Sequence, residues 1–276
     1  MTSLNALILG IVQGLTEFLP VSSSGHLVLA QHLLGMRQPE LFFDVMLHLA
    51  TLIAVLVYFR ADLYLFLKHL FGSVKQGGAD WMSGRGDAAA YLLRLLIATL
   101  PAAAAGLLFR DFVESMFASP LVVCADLAFT GTLLLAASFA AHGSKSEIHL
   151  PVWKIFLIGI AQAVALAPGI SRSGSTIAMG LILGLRPTDA ARFSFFLAIP
   201  AISGAAMLEI AKAINNLNLT LSALAPVIAG MIVATLSGIA ALYLLIGALR
   251  RGRLIIFAVY CWLVAVAGFV ALGIIY

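Results

Sequence analysis

Glu17, Ser23, His26 and Arg172 are the side chains in this chain best suited to chemistry, because each sits where hydrocarbon is the expected surrounding. The first three share one stretch, Gln13-Gly-Leu-Thr-Glu-Phe-Leu-Pro-Val-Ser-Ser-Ser-Gly-His26. Spacing of four puts Gln13 and Glu17 on one helical face, and Pro20 then stops the helix before Ser22, Ser23, Ser24, Gly25 and His26. Histidine beside serine is the usual pairing for activating a nucleophile or moving a proton. A second stretch, Pro168-Gly-Ile-Ser-Arg-Ser-Gly-Ser-Thr176, sets Arg172 among Ser171, Ser173, Gly174, Ser175 and Thr176. Helices starting near His26 and Thr176 would aim unpaired N–H groups and positive dipole ends at one point. With the forked Arg172 and the hydroxyls, they make an anion site better suited to phosphate than to carboxylate. Glu17 belongs there if it holds a divalent cation bridging to phosphate oxygens, or accepts a proton.

The elements that must position these groups come in two sets. Gly10-Ile11-x-Gln13 recurs as Gly159-Ile160-x-Gln162, Ser22-x-Ser24-Gly25 as Ser171-x-Ser173-Gly174, and Gly35-x-Arg37 as Gly184-x-Arg186. Each pair is separated by 149 residues, a constancy over polar and glycine positions that implies two homologous halves. Repeat one covers 1–141 and repeat two 150–276, within a single integral membrane domain over 1–276. In each half two short apolar arms flank a Pro/Ser/Gly break: 4–19 and 27–35, then 152–167 and 176–185. A spanning helix needs about 20 apolar residues, so each pair reads as a re-entrant hairpin, with its broken backbone buried in protein or lining a wet cavity. Three crossing runs follow each hairpin: 41–59, 88–109 and 120–141, then 190–214, 222–249 and 254–275. Between the first two, 60–87 is the longest polar segment, with 63–71 able to form an amphipathic interfacial helix. Three crossings reverse the side from which the second hairpin starts, so the halves have inverted topology. The expected fold is an all-α polytopic membrane protein with six full spans, two re-entrant helical hairpins and an inverted-topology repeat.

Composition supports this class. Charged residues are 10% of the chain, hydrophobic ones 62%, and mean hydropathy is +1.09, where a soluble domain carries about a quarter charged residues. Apolar runs are continuous rather than alternating, which favours helices over a barrel. No basic region precedes the first run and no small-residue cleavage site follows it, so it is expected to belong to the mature fold. Cys124 and Cys261 lie in apolar runs as buried thiols. Arg60, Lys68, Lys75, Arg85, Lys145, Lys154, Arg186, Arg192, Arg250, Arg251 and Arg253 fall on one side, and only Arg37, Arg110 and Lys212 on the other. The positive-inside rule then puts both termini outside the cytoplasm.

Blander roles compete at several positions. Glu17 could pair with Arg94 as structural glue, His26 could bond a helix start, and the serines could satisfy broken-helix backbone. Asp44 and His48, four apart on the first full span, read equally as cavity-facing groups or as a structural polar pair. Asp126 and Arg94 read as packing or interfacial residues, Gly10 and Gly14 as points of close helix approach, and Arg250–Arg253 as an orientation signal.

These two stretches resemble the signature motifs of the undecaprenyl-diphosphate phosphatases, the bacitracin-resistance family, and length, motif order and loop pattern agree across essentially the whole chain. The resemblance implies a bacterial inner-membrane enzyme that removes the terminal phosphate from a polyprenyl diphosphate carrier lipid. That reaction recycles the lipid for peptidoglycan assembly and gives bacitracin tolerance. By motif, the family's acidic pair falls on Gln13 and Glu17, its serine nucleophile on Ser23, its histidine on His26 and its arginine on Arg172. The first acidic position is Gln here, so Glu17 carries that role alone. Phosphate-binding donors are expected from Ser22, Ser24, Gly25, Ser171, Ser173, Gly174 and Thr176, and a divalent cation, Mg2+ or Ca2+, on Glu17 and Gln13. Ser23 attacks with His26 as proton acceptor, or water attacks directly. Expected partners are the lipid substrate and membrane lipids, with no nucleic acid and a homo-oligomer possible. A secondary transporter or lipid flippase for a phosphorylated isoprenoid uses the same architecture, and a scaffold in a membrane complex is the remaining rival. A Ser–His–Glu–Arg set exceeds what a binding site needs and favours chemistry.

Overall fold

The computed structural model describes residues 2–36, 41–71, 88–140, 150–214 and 221–275, in which twelve helices and no strand occur. The chain opens with a short pair, α1 (Ser3–Phe18) and α2 (Ser23–Leu33). Then come α3 (Leu41–Tyr58), α4 (Arg60–Phe71), α5 (Ala88–Leu108), α6 (Arg110–Phe117) and α7 (Pro120–Ala140). A second short pair, α8 (Val152–Val164) and α9 (Arg172–Ile182), precedes α10 (Pro187–Ile214), α11 (Leu221–Arg250) and α12 (Leu254–Ile275). Five of these, α5, α7, α10, α11 and α12, are long and apolar enough to cross a bilayer. The run at 41–59 qualifies only jointly with α4, toward which the chain bends by 77°. At 16 and 13 residues, α1 and α8 reach only about 24 and 20 Å, less than the roughly 30 Å hydrocarbon core.

The short pairs both break and resume earlier than the sequence suggests. Arms expected at 27–35 and 176–185 begin at Ser23 and Arg172, because a serine caps each start. The Gly25 N–H donates to Ser22 Oγ at 3.3 Å, and the Gly174 N–H to Ser171 Oγ at 3.0 Å. The polar residues of both motifs therefore ride on the first helical turn rather than in a loop.

α4 includes the expected amphipathic segment 63–71, whereas α6 was not foreseen. It is short and polar for its surroundings, has no buried residue, and carries an Arg110–Glu114 ion pair at 2.7 Å. Arg37, Lys75, Arg85, Lys145 and the segment 72–87 lie outside the described residues, as does the side chain of Lys212.

Packing is reciprocal between the first and last parts of the chain. α1 lies along α11 and α8 along α5, while α3 packs on α11, α10 on α5 and α7 on α12. Gly10 makes the first contact close, since a Cβ there would sit 2.5 Å from the Gly230 carbonyl oxygen. Gly159 does the same against the Ala98 carbonyl oxygen, also at 2.5 Å. Such small-residue contacts let backbones approach where lipid offers no hydrophobic drive between helices. An aromatic cluster fixes the end of α1: Phe18, fully buried, meets Phe195 edge-on at 5.7 Å, a geometry that adds about 0.5–1.5 kcal/mol. Cys124 and Cys261 are free and buried.

Candidate active site

The two capped turns touch. Ser173 Oγ, on α9, donates to the Leu19 carbonyl at 3.2 Å, tying the second motif to the end of α1. A Cβ on Gly25 would lie 2.9 Å from Gly169 Cα, so only glycine allows the tips this near. Thr130, from α7, holds the second tip by donating to the Gly169 carbonyl at 2.9 Å and accepting the Ser171 N–H at 3.0 Å.

Glu17 stands at the junction with its side chain 3% exposed. Arg172 Nη2 donates to its Oε1 at 2.5 Å, Ser23 Oγ to its Oε2 at 2.6 Å, and Gln13 Nε2 to Oε2 at 2.9 Å. Arg172 can only donate, and Ser23 and Gln13 are placed to donate as well. His48 Nε2 lies 3.5 Å from Oε2. Arg172 Nη1 is buried and has no hydrogen-bond partner among the described residues. The guanidinium therefore holds Glu17 with one edge and keeps a donor in reserve.

A cavity of about 340 Å³ opens over this centre. Its polar floor is Glu17, Ser22, Ser23, Ser24, Asp44, His48, Ser171 and Arg172. Its walls are apolar: Leu27 and Val28 from α2, Val113 and Phe117 from α6, Ala201, Ile202, Ala205 and Ala206 from α10. An anion with a hydrocarbon tail fits this division of surfaces.

Not every expected residue arrives. Gln13, Gly25, His26, Ser173, Gly174 and Thr176 are not among the lining residues. Thr176 turns to Ser194 at 2.6 Å and to the Arg172 carbonyl at 2.8 Å, closing α9 on α10 rather than offering a donor to a ligand. Gly25 and Gly174 bring backbones together and donate their N–H groups to the capping serines. His26 bonds the Ser22 carbonyl and the Tyr260 hydroxyl, and the group that accepts the Ser23 hydroxyl is Glu17. Glu17 pairs with Arg172 and not Arg94, whose Nη1 donates to the Ala90 carbonyl at 3.2 Å. Asp44 and His48 both face the cavity. Asp44 accepts from Gln31 at 2.8 Å, and His48 Nδ1 donates to the Asp44 carbonyl at 2.7 Å. The i, i+4 spacing of this pair was the available signal for it.

Gln13 and Glu17, the residues expected to hold a divalent cation, bond each other. Gln13 turns its amide nitrogen to Glu17, leaving its Oε1 buried without a partner among the described residues. Glu17 already bears a guanidinium, and no group of three His, Cys, Asp or Glu side chains able to hold an ion occurs among the described residues.

Taken together, the helices and this centre define a polytopic helical membrane protein with a serine, a carboxylate and a guanidinium at the floor of a half-apolar cavity. The profile of the family "Bacitracin resistance protein BacA" matches residues 6–267, and the chain belongs to that family. It is 45% identical over 267 residues to a Syntrophotalea carbinolica protein named undecaprenyl-diphosphatase, covering 95% of this chain and 96% of the relative. A Rubrobacter xylanophilus protein of the same name is 48% identical over 76% of each chain. Undecaprenyl-diphosphatase 1 of Shouchella clausii is 36% identical, over 98% of this chain and 96% of the relative.

Proposed function

We propose that this chain is an undecaprenyl-diphosphatase: it hydrolyses undecaprenyl diphosphate to undecaprenyl phosphate and inorganic phosphate, recycling the carrier lipid for peptidoglycan synthesis and giving bacitracin tolerance. The observation that carries the reading is Glu17 held between Ser23 and Arg172 at the base of a cavity with apolar walls. The prenyl tail keeps to the apolar side while the diphosphate descends to the serines and the spare Arg172 donor. Ser23 Oγ attacks the terminal phosphorus, and its proton passes to Glu17 Oε2. The O–P bond to serine forms as the bridging P–O bond breaks, and undecaprenyl phosphate leaves. As Glu17 becomes neutral its hold on Arg172 weakens, and the guanidinium turns to the charge spreading over the phosphoryl oxygens. Water then cleaves the phosphoserine, Glu17 returns the proton to Ser23 Oγ, and phosphate departs. A divalent cation, Mg2+ or Ca2+, enters this proposal only as the counter-ion that the diphosphate brings with it.

The proposed setting is a multi-pass inner-membrane protein with α1–α2 and α8–α9 as re-entrant hairpins of two inverted repeats and both termini outside the cytoplasm. In its favour are the constant offset of the motifs, the shortness of α1 and α8, the reciprocal packing and the excess of basic residues on one side. Reaction of Arg251→Cys with a membrane-impermeant maleimide in inverted vesicles, and its protection in intact cells, tests the orientation. Phosphate release from undecaprenyl diphosphate by the purified protein tests the activity. Release unchanged by both Ser23→Ala and Arg172→Ala would remove it.

A further inference from the structure

Both ring nitrogens of His26 are committed away from the cavity. Nδ1 lies 2.8 Å from the Ser22 carbonyl oxygen, which can only accept, so Nδ1 carries the proton. Nε2 is then an acceptor in the neutral ring, and it takes the Tyr260 hydroxyl at 2.9 Å. The two rings lie nearly parallel, at 8°, with centroids 5.6 Å apart, and Tyr260 is 42% exposed on α12.

The carbonyl that His26 holds belongs to a strained residue. Ser22 has φ +68°, the one non-glycine residue with positive φ among the described residues. Its counterpart Ser171 has φ −69°, although the two caps otherwise match: each serine accepts the N–H three residues on and pairs with the hydroxyl two residues on. The position equivalent to His26 is Ser175, with no ring to reach back. What the first tip has and the second lacks is the imidazole on the capping carbonyl, and Ser23, the next residue, is the one aimed at Glu17.

We propose that His26 and Tyr260 are positioning residues for phosphate release. The Tyr260 hydroxyl fixes the His26 tautomer, and the Nδ1–H holds the Ser22 peptide in the turn that points Ser23 Oγ at Glu17. His26 itself takes no proton from the reaction. This rests on the reading of the chain as a phosphatase working through Ser23.

The test uses the purified full chain in detergent with undecaprenyl diphosphate, measuring kcat and KM over a range of pH. An asparagine amide can stand in for Nδ1–H but cannot act as a base. His26→Asn should therefore stay within about tenfold of wild type with an unchanged pH profile, where loss of a general base costs roughly 10²–10⁴. His26→Ala and His26→Gln, which lack a donor at that place, should lose about 100-fold in kcat with little change in KM, as misplacement of a reacting group does. Tyr260→Phe should lower kcat alone but add nothing to His26→Asn, which has no Nε2 to hold. In ¹⁵N-histidine NMR, His26 should show protonated Nδ1 in the wild type and a shifted Nε2 signal in Tyr260→Phe, a readout independent of turnover. His26→Asn as inactive as His26→Ala, with wild-type melting, overturns the inference, as does full additivity of Tyr260→Phe. Ser23→Ala run alongside separates the two levels: full activity there sinks the phosphatase mechanism, whereas its loss with an inactive His26→Asn sinks only the positioning role.

Discussion

Ser23 and Arg172 are each the first residue of a capped helix, α2 and α9, and each bonds a different oxygen of Glu17. They are also 149 residues apart, the separation shared by the motifs around them. The same local frame thus presents a hydroxyl from one tip and a guanidinium from the other to a single carboxylate.

Arg172→Ala should cost both fold and activity. It leaves the buried Glu17 charge without its partner, a loss of about 3–5 kcal/mol, which a lowered melting temperature in detergent will register. Arg172→Lys keeps the charge but not the fork that can hold Glu17 and a phosphate together. Its melting temperature should stay near wild type while kcat falls about 10²–10³. Equal kcat in Lys and wild type would show that charge alone suffices.

Ser23→Ala distinguishes a serine nucleophile from a water held by Glu17. With Ser23 as nucleophile, the variant should lose at least about 10³-fold in phosphate release. Wild-type protein quenched in acid during turnover should then carry phosphate on Ser23, read as a mass increase on the peptide containing it. Residual activity within tenfold of wild type, with no labelled peptide, would assign the attack to water.

Gln13→Glu probes why an amide stands beside Glu17. Gln13 is fully buried and donates to Oε2, so a carboxylate there would face another at the same distance. Two such groups cannot both stay ionised unless a cation joins them. The variant should lose about tenfold or more in rate after chelation, equivalent to roughly 1.4 kcal/mol, and regain it on adding Mg2+. A Mg2+ titration that superimposes on wild type would contradict this.

Gly169→Ala should separate the tips. Its φ of +102° strains any side chain, and a Cβ there would lie 2.5 Å from the Val123 carbonyl oxygen and 2.7 Å from Asp126 Cβ. Overpacking of this kind costs about 1–3 kcal/mol. A thermal shift and a fall in kcat should appear together, because Gly169 is also the contact of Gly25. Gly247→Ala, with nothing within 4 Å of the added carbon, is the matched control.

How far the chain could be read in advance depended on what each residue's signal encodes. Glu17, Ser23 and Arg172 stood out because polar groups in an oily chain require partners, and partners across 155 residues imply that two distant motifs meet. The five long apolar helices followed from run lengths, yet α3 reaches spanning length only with the bent α4, since hydropathy does not record a 77° turn. α6 escaped notice because eight residues, half of them polar, between two long apolar runs resemble a connection. The histidines were harder. Adjacency to serine pointed to His26, but neighbours in a first helical turn need not face the same way, and the ring folds back on the Ser22 carbonyl. His48 had only its spacing from Asp44 to mark it, and that spacing is equally common in structural pairs. Helix starts at Ser23 and Arg172 were legible in the capping serines, whose reading as backbone partners the caps bear out.

The ion pair between Arg172 and Glu17 has a consequence for turnover. At rest one guanidinium nitrogen already has an occupant, so an incoming phosphate starts on the spare Nη1 and shares the group with an internal rival. A diphosphate, with more charge and more oxygens, meets that threshold more easily than the monophosphate lipid left behind. On the proposed mechanism, Glu17 would reclaim Arg172 once it has surrendered its proton, loosening the remaining phosphate. On that mechanism the same carboxylate that readies the serine would act as a built-in eviction device, biasing the site toward spent lipid leaving and charged lipid arriving.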